Sequence, residues 1–188
     1  MGSRKAVGQE RIALGDSLLI LVDLQERLLP VIAEKESVVE NVTRLARFAE
    51  IIGMPLLVAK QIKLGEVVPE IRALTQAATA VEKHHFDCLA SPAFRDRLEA
   101  VERGALILCG IETHICVTQT ALHALEDGYR VHVVADATSS RSRGNWEIGI
   151  ARLGAAGAVI TSTEMVIYEL LGKAGTDLFR RVLPIVKQ

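Results

Sequence analysis

Three residues of reactive type follow strand-sized apolar runs in this 188-residue chain. Asp23 closes the run Leu18–Val22 and opens Asp23-Leu24-Gln25. Lys83 stands in Glu82-Lys83-His84-His85, after a weaker run at Thr79–Val81. Cys116 follows the run Ala105–Cys109 through Gly110-Ile111-Glu112-Thr113-His114-Ile115. An acid, an amine and a thiol of this kind make a nucleophile with its activating groups. Asp23 can take the thiol proton and return it to a leaving group, and Lys83 supplies positive charge. A helix over Thr113–Asp127 would carry Cys116 in its first turn. There the helix dipole and unpaired N–H groups favour a thiolate, and the same N–H groups can hold an oxyanion. Each residue alone has a plainer reading: a strand-end aspartate as a turn residue, a solvated lysine, a small core cysteine. Their arrival at one edge is what points to nucleophilic acyl chemistry.

The elements that must position them are legible as apolar patterns. Leu18–Val22, Pro55–Ala59, Ala105–Cys109, Val131–Ala135 and Gly157–Ile160 are mostly unbroken runs, as expected of strands covered on both faces. Val38, Val42, Leu45, Ala49 and Ile52 keep a helical period, as do Val117, Ala121 and Leu125. Ile148 and Leu153 mark a third helix, and Glu164–Leu171 and Asp177–Val186 two more. Gly53 and Gly128 stand where left-handed helix ends belong. Strands alternating with helices imply βαβ crossovers and a parallel sheet, whose ligands gather at the carboxyl ends of the strands. If the strand order is 3-2-1-4-5-6, Lys83 starts two strands from Asp23, roughly 9–10 Å away. Only its long side chain and an inward-bending loop could close that gap.

Composition narrows the function classes. Hydrophobic residues make up 49%, charged residues 24% and aromatics 4%, and the formal net charge is −1. That describes a globular chain, with no basic patch for nucleic acid or an anionic membrane and few rings to stack bases. The longest apolar run is far short of a membrane span, and Met1–Gly15 lacks the apolar stretch of a secretory signal. Cys88, Cys109 and Cys116 match no metal or redox spacing, so free thiols in a cytoplasmic setting are expected. No Gly-x-Gly-x-x-Gly follows the first strand, which excludes a dinucleotide site there.

The segment Gly110-Ile111-Glu112-Thr113-His114-Ile115-Cys116-Val117-Thr118-Gln119-Thr120-Ala121, running on to Gly128-Tyr129 and Val133-Val134-Ala135-Asp136-Ala137, resembles the isochorismatase-like cysteine hydrolases. Val22-Asp23-Leu24-Gln25 and Glu82-Lys83 with Phe86 resemble that family's other two motifs, in family order, and the likeness spans about Asp16 to Gly172. Gln25-Glu26-Arg27-Leu28 and Ser139-Ser140-Arg141-Ser142 look like the branch of small isochorismatase-domain proteins. The resemblance implies one three-layer α/β/α domain over 1–188, with a six-stranded parallel sheet, an extension at 1–15 and helices at 163–188. It implies an Asp23–Lys83–Cys116 triad and a cis peptide joining Ile111 to Glu112. That peptide would aim the Glu112 N–H, with that of Cys116, at an oxyanion. It also implies a small-molecule substrate, no cofactor and a homo-oligomer.

Some details depart from the family. Nicotinamidases carry an Asp-x-His-x-His type metal site after the second strand, whereas this chain reads Lys60-Gln61-Ile62-Lys63-Leu64-Gly65, so no metal is expected. A cysteine tilts the chemistry toward carbonyl compounds, a small amide first, rather than a vinyl ether. Glu112 beside the oxyanion position favours neutral or cationic substrates. Gln25 and His114 are candidate substrate contacts. His84, His85, Arg141 and Arg143 read as surface residues, Cys88 and Cys109 as structural thiols, and Phe179, Leu183 and Val186 as a core stripe. The competing reading is a catalytically weak member serving as a binding or scaffolding oligomer, which Cys116 reactivity and turnover on amides would separate.

Overall fold

The computed structural model describes residues 11–75, 78 and 80–187. Six strands form one all-parallel sheet: β1 (Ser17–Val22), β2 (Leu56–Gln61), β3 (Val81–Lys83), β4 (Ala105–Ile111), β5 (Arg130–Ser139) and β6 (Val159–Thr161). Their order is β3-β2-β1-β4-β5-β6. After β3 the chain returns to the far side of β1, so the order reverses between β1 and β4. Sheets of this kind bind ligands at the carboxyl ends of the strands beside such a reversal. Thr79, the first residue of the weak third run, lies outside the described residues.

Strand β1 shows how an unbroken apolar run serves two cores. Leu18, Ile20 and Val22 face one cluster, and Leu19 and Leu21 face the other. Helix α1 (Lys35–Ile52) covers the second cluster with Val38, Val42, Leu45 and Ala49, aided by Ile71 of α2 (Pro69–Leu74) and Val166 of α6 (Thr163–Leu171). The first cluster is covered by α3 (Pro92–Val101), α4 (Thr118–Glu126) and α5 (Arg143–Ala155), through Phe94, Leu98, Ala121, Ala124 and Leu153. Each fully buried Leu, Ile, Val or Phe side chain contributes about 1.5–3 kcal/mol. The result is a three-layer α/β/α arrangement.

Several expected patterns shift. Ile148 of α5 is 67% exposed, so Leu153 and Gly149 form that helix's buried side. In α7 (Asp177–Val186) the fully packed residues are Val182 and Ile185, one step from the expected stripe, and Phe179, Leu183 and Val186 are half-buried. Helices α2 and α3 bury only one and two side chains, which left no readable period.

Strand β4 runs past Cys109 to Ile111 because Gly110 can take φ 115°. A Cβ there would lie 2.1 Å from the Val22 carbonyl oxygen, so no other residue fits. Pairing between β4 and β5 jumps at this point, from Leu108↔Val133 to Gly110↔Thr138. Strand β5 therefore bulges at Val134–Ala137 before rejoining beside Ile111.

Candidate active site

Asp23 takes a left-handed backbone conformation, φ 52°, immediately after β1, and its N–H donates to the Ala59 carbonyl at 3.1 Å. Its side chain and that of Lys83 are both 0% exposed. Lys83 ends β3, directly opposite Gln61 in the β2–β3 register. From there its side chain crosses the end of β2 and places Nζ 2.8 Å from Asp23 Oδ2. Gln61 Oε1 accepts a second bond from the same ammonium at 2.7 Å. The gap of two strands is thus closed by the lysine stem, with Gln61 midway.

The Gln61 amide is itself fixed. Nε2 donates to the His84 carbonyl at 2.9 Å, which leaves Oε1 facing Lys83. Gln25 braces the same strand end: its Oε1 accepts from Gln61 N at 2.8 Å, and both Nε2 protons go to the Gln61 and Gly65 carbonyls. Gln25 is fully buried with its donors used, so it supports the wall behind Lys83 rather than facing a substrate. Gln61 stands at a strand end, the position that drew attention to Asp23 and Lys83, but its neutral side chain carried no signal of its own.

Cys116 lies in a π-helical turn, Thr113–Val117, between β4 and α4. The Glu112 carbonyl accepts from both Ile115 N and Val117 N, and Thr118 Oγ1 donates to the Thr113 carbonyl at 2.6 Å. Thr113 Oγ1 reaches across to the Ser139 carbonyl at 3.0 Å. Gly149 lets α5 press on this turn, since a Cβ there would meet His114 and Thr113 atoms at 3.2 Å. The turn is pinned on both sides.

The Cys116 thiol is 6% exposed and stands beside the Asp23 carboxylate, where each group alters the other's proton affinity. Oδ1 of Asp23, buried, has no partner in hydrogen-bond geometry. The carboxylate therefore has one oxygen committed to Lys83 and one without a partner in hydrogen-bond geometry. Burial pushes the Cys116 thiol above its ordinary value, the Asp23 charge pushes it further, and Lys83 only partly opposes them. This corrects the expectation of a resting thiolate: loss of water and a neighbouring anion outweigh the helix start. Burial also raises Asp23 despite Lys83, making it a stronger base. Burial lowers Lys83, but the Asp23 charge and hydrogen bond act against it and the net direction is upward, so it stays an ammonium. Cys88 is pushed up to about 12 by burial, and Cys109 is raised by the same cause.

The Ile111–Glu112 peptide is cis. The Glu112 carboxylate, 5% exposed, accepts from Arg141 N at 2.8 Å and from Arg141 Nε at 3.1 Å. Arg141, read from sequence as a surface charge, is thus the partner that takes up the Glu112 charge. His114 binds Ser140 Oγ through Nδ1 at 2.9 Å and meets Asn145 through Nε2 at 3.3 Å, tying the turn to the loop before α5 and to the first turn of α5 itself. His84, His85 and Phe86 are exposed, and Arg143 pairs with Glu34 and Glu147. Among the described residues no group of three or more His, Cys, Asp or Glu side chains is placed to hold a metal ion. No described helix is long and apolar enough to cross a membrane.

The chain as a whole is similar to known proteins. The chain is 35% identical to isochorismatase domain-containing protein 2A of Mus musculus over 95% of its length and 86% of that protein. Among solved structures, the MAR1 ribonuclease of Caenorhabditis elegans has a TM-score of 0.87 and 32% identity, covering 95% of this chain and 93% of that one. YcaC of Pseudomonas aeruginosa, solved with hexane-2,5-diol and covalent acrylamide, has a TM-score of 0.88 and 25% identity, covering 94% and 92%. The isochorismatase domain profile matches residues 17–165, and the chain belongs to the isochorismatase family.

Proposed function

We propose that the chain is a cysteine hydrolase of small neutral amides, with Cys116 as nucleophile, Asp23 as acid and base, and Lys83 as electrostatic support. The observation that carries this reading is the divided Asp23 carboxylate. Lys83 holds Oδ2 at 2.8 Å, Oδ1 is buried without a partner in hydrogen-bond geometry, and the Cys116 thiol is close enough to the carboxylate for each to shift the other's proton affinity. Family membership supports a hydrolase.

Each proton has a place to go. The substrate carbonyl carbon is attacked by Sγ as the thiol proton passes to Asp23 Oδ1. Attack and transfer are coupled, because the raised thiol is protonated at rest and the raised carboxylate is the better base for it. The carbonyl oxygen becomes an oxyanion, met by the N–H groups of Glu112 and Cys116. Collapse breaks the C–N bond, and the departing amine takes the proton from Asp23, leaving a thioester on Cys116. Asp23 then deprotonates a water that attacks the thioester. The carboxylic acid leaves and the proton returns to Sγ. Lys83 stays on Oδ2 throughout, held there by Gln61.

Charge supports a neutral substrate. Lys83 is matched by Asp23, and Glu112 by Arg141, so both charged pairs of the site are internally balanced. The acrylamide bound covalently in the Pseudomonas relative is itself a small neutral amide. The test is ammonia release from a panel of small primary amides, by the native chain and by Cys116→Ala. Release that disappears in Cys116→Ala supports the reading. Release that survives in Cys116→Ala rejects it. No release from any amide, with a Cys116 that resists alkylation, moves the chain to a binding or scaffolding role. Cleavage of an RNA substrate independent of Cys116 would instead align it with the worm ribonuclease.

A further inference from the structure

We propose that the chain carries a second small-molecule site, separate from the Cys116 site, that takes a ring-bearing primary amine in its ammonium form. A cavity of about 270 Å³ opens where β5 bulges and the starts of α1 and α5 converge. A void of roughly 150 Å³ already accommodates benzene, so one ring with a short polar arm fits. Asp23, Lys83 and Cys116 do not line it. The apolar surface comes from Val38, Ala135 and the half-buried indole of Trp146. Trp146 Nε1 donates to Thr138 Oγ1 at 3.3 Å, which ties the ring to the end of β5.

The charges around this cavity select the sign of the ligand. Glu34, Asp136 and Arg143 line it. Arg143 is already matched by Glu34 at 3.1 Å and Glu147 at 3.2 Å. Asp136 gives Oδ1 to the N–H and hydroxyl of Thr163 at 2.8 and 3.0 Å, and no cationic side chain among the described residues pairs with it. The charge without a cationic side chain is therefore the solvent-exposed Asp136 carboxylate, which lines the same cavity as the Trp146 indole, a ring type that attracts cations. The nearby starts of α5 and α6 favour anions, but they are occupied, and the start of α1, which has no side-chain cap, already carries the carboxylates of Glu34 and Glu36. Asp136 itself meets Thr163 N, and Ser142 and Ser162 accept from Asn145 N and Met165 N. An ammonium on Asp136 with its ring against Trp146 is the occupant that satisfies both surfaces.

Trp146 is the only tryptophan of the chain, so its fluorescence reports this cavity directly. The experiment titrates benzylammonium, benzyl alcohol and benzoate into the full chain at neutral pH. The expected result is a saturable change with benzylammonium, up to about fivefold tighter than with benzyl alcohol, and benzoate no tighter than the alcohol. In Asp136→Asn, which keeps an Oδ1 acceptor for Thr163, the preference for benzylammonium over benzyl alcohol should vanish. The Cys116→Ala chain should respond as the native one does, so this test stands or falls independently of the hydrolase reading. Three results would overturn the proposal: no saturable response to benzylammonium, tightest binding by benzoate, or a response lost when Cys116 is alkylated.

Discussion

Lys83 and Asp23 come from strands separated by β2, yet Nζ and Oδ2 lie 2.8 Å apart with both side chains fully buried. The pair is therefore a single charged unit set into the sheet edge, and neither member is tolerable alone. Lys83→Met would leave a buried carboxylate without its counter-ion, at a cost of about 3–5 kcal/mol in unfolding free energy. Replacing both, Asp23→Asn with Lys83→Met, should recover most of that loss. Urea unfolding of the single and double variants checks this, and a double variant no more stable than the single one would contradict it.

Cys116 should be alkylated by iodoacetamide with a pH midpoint above the ordinary thiol value of about 8.5. Its proton is held by burial and by the Asp23 charge, so the thiolate fraction rises only as pH climbs past that value. Asp23→Asn removes one of the two causes and should move the midpoint down, while Lys83→Met should move it up. Peptide mass spectrometry across pH reads all three, and a midpoint below 8.5 in the native chain would reverse the electrostatic argument.

Gln61→Met keeps the size of the side chain but removes the second acceptor of Lys83 and the donor to the His84 carbonyl. Stability should fall by about 1–3 kcal/mol, the cost of stranding a buried polar group. Amide turnover should fall further, by ten- to about a hundredfold, because Lys83 is no longer fixed on Oδ2. Unfolding and steady-state rates measured side by side separate the two effects.

At Gly149 two opposing terms can be weighed. Alanine gains about 1 kcal/mol in a helix interior relative to glycine. Its Cβ would meet the Cys116 turn at 3.2 Å from His114 and Thr113 atoms, an overpacking that costs about 1–3 kcal/mol. The balance is a modest net destabilisation, with the shift falling on the turn that holds Cys116. Thermal unfolding and the Cys116 alkylation rate of Gly149→Ala should both change. A stabilised variant with native alkylation would show that the contact is slack.

His132, buried in β5 with Nε2 unpartnered, is held below its ordinary 6.5 by burial, with Arg130 lowering it and Glu169 opposing. The unfolded chain binds a proton there that the folded chain refuses. This contribution to stability is therefore present above 6.5 and is lost as pH falls. His132→Leu should flatten the acid side of the stability profile, measured by urea unfolding at a series of pH values.

Much of this was legible before any coordinates. The unbroken runs around Leu18–Val22 and Ala105–Cys109 marked covered parallel strands, and the 3.6-residue pattern from Val38 to Ile52 marked α1. The strand-end rule drew out Asp23, Lys83 and Cys116, which stand together at the reversal of strand order. What stayed hidden depends on three-dimensional pairing. Gln61 acts through a neutral amide, Arg141 through a contact with Glu112 across 29 positions, and Gly149 through the absence of a side chain. The thiol's proton affinity departs from the sequence expectation because a helix start can be read from sequence, but the loss of water around Cys116 cannot.

The most direct test of the central claim is mass spectrometry of the native chain, quenched in acid during turnover of a small amide. The mechanism predicts an acyl group carried on the Cys116 peptide alone, formed more slowly in Asp23→Asn and absent in Cys116→Ala. Turnover without any adduct at Cys116, or an adduct that forms as fast without Asp23, would contradict it.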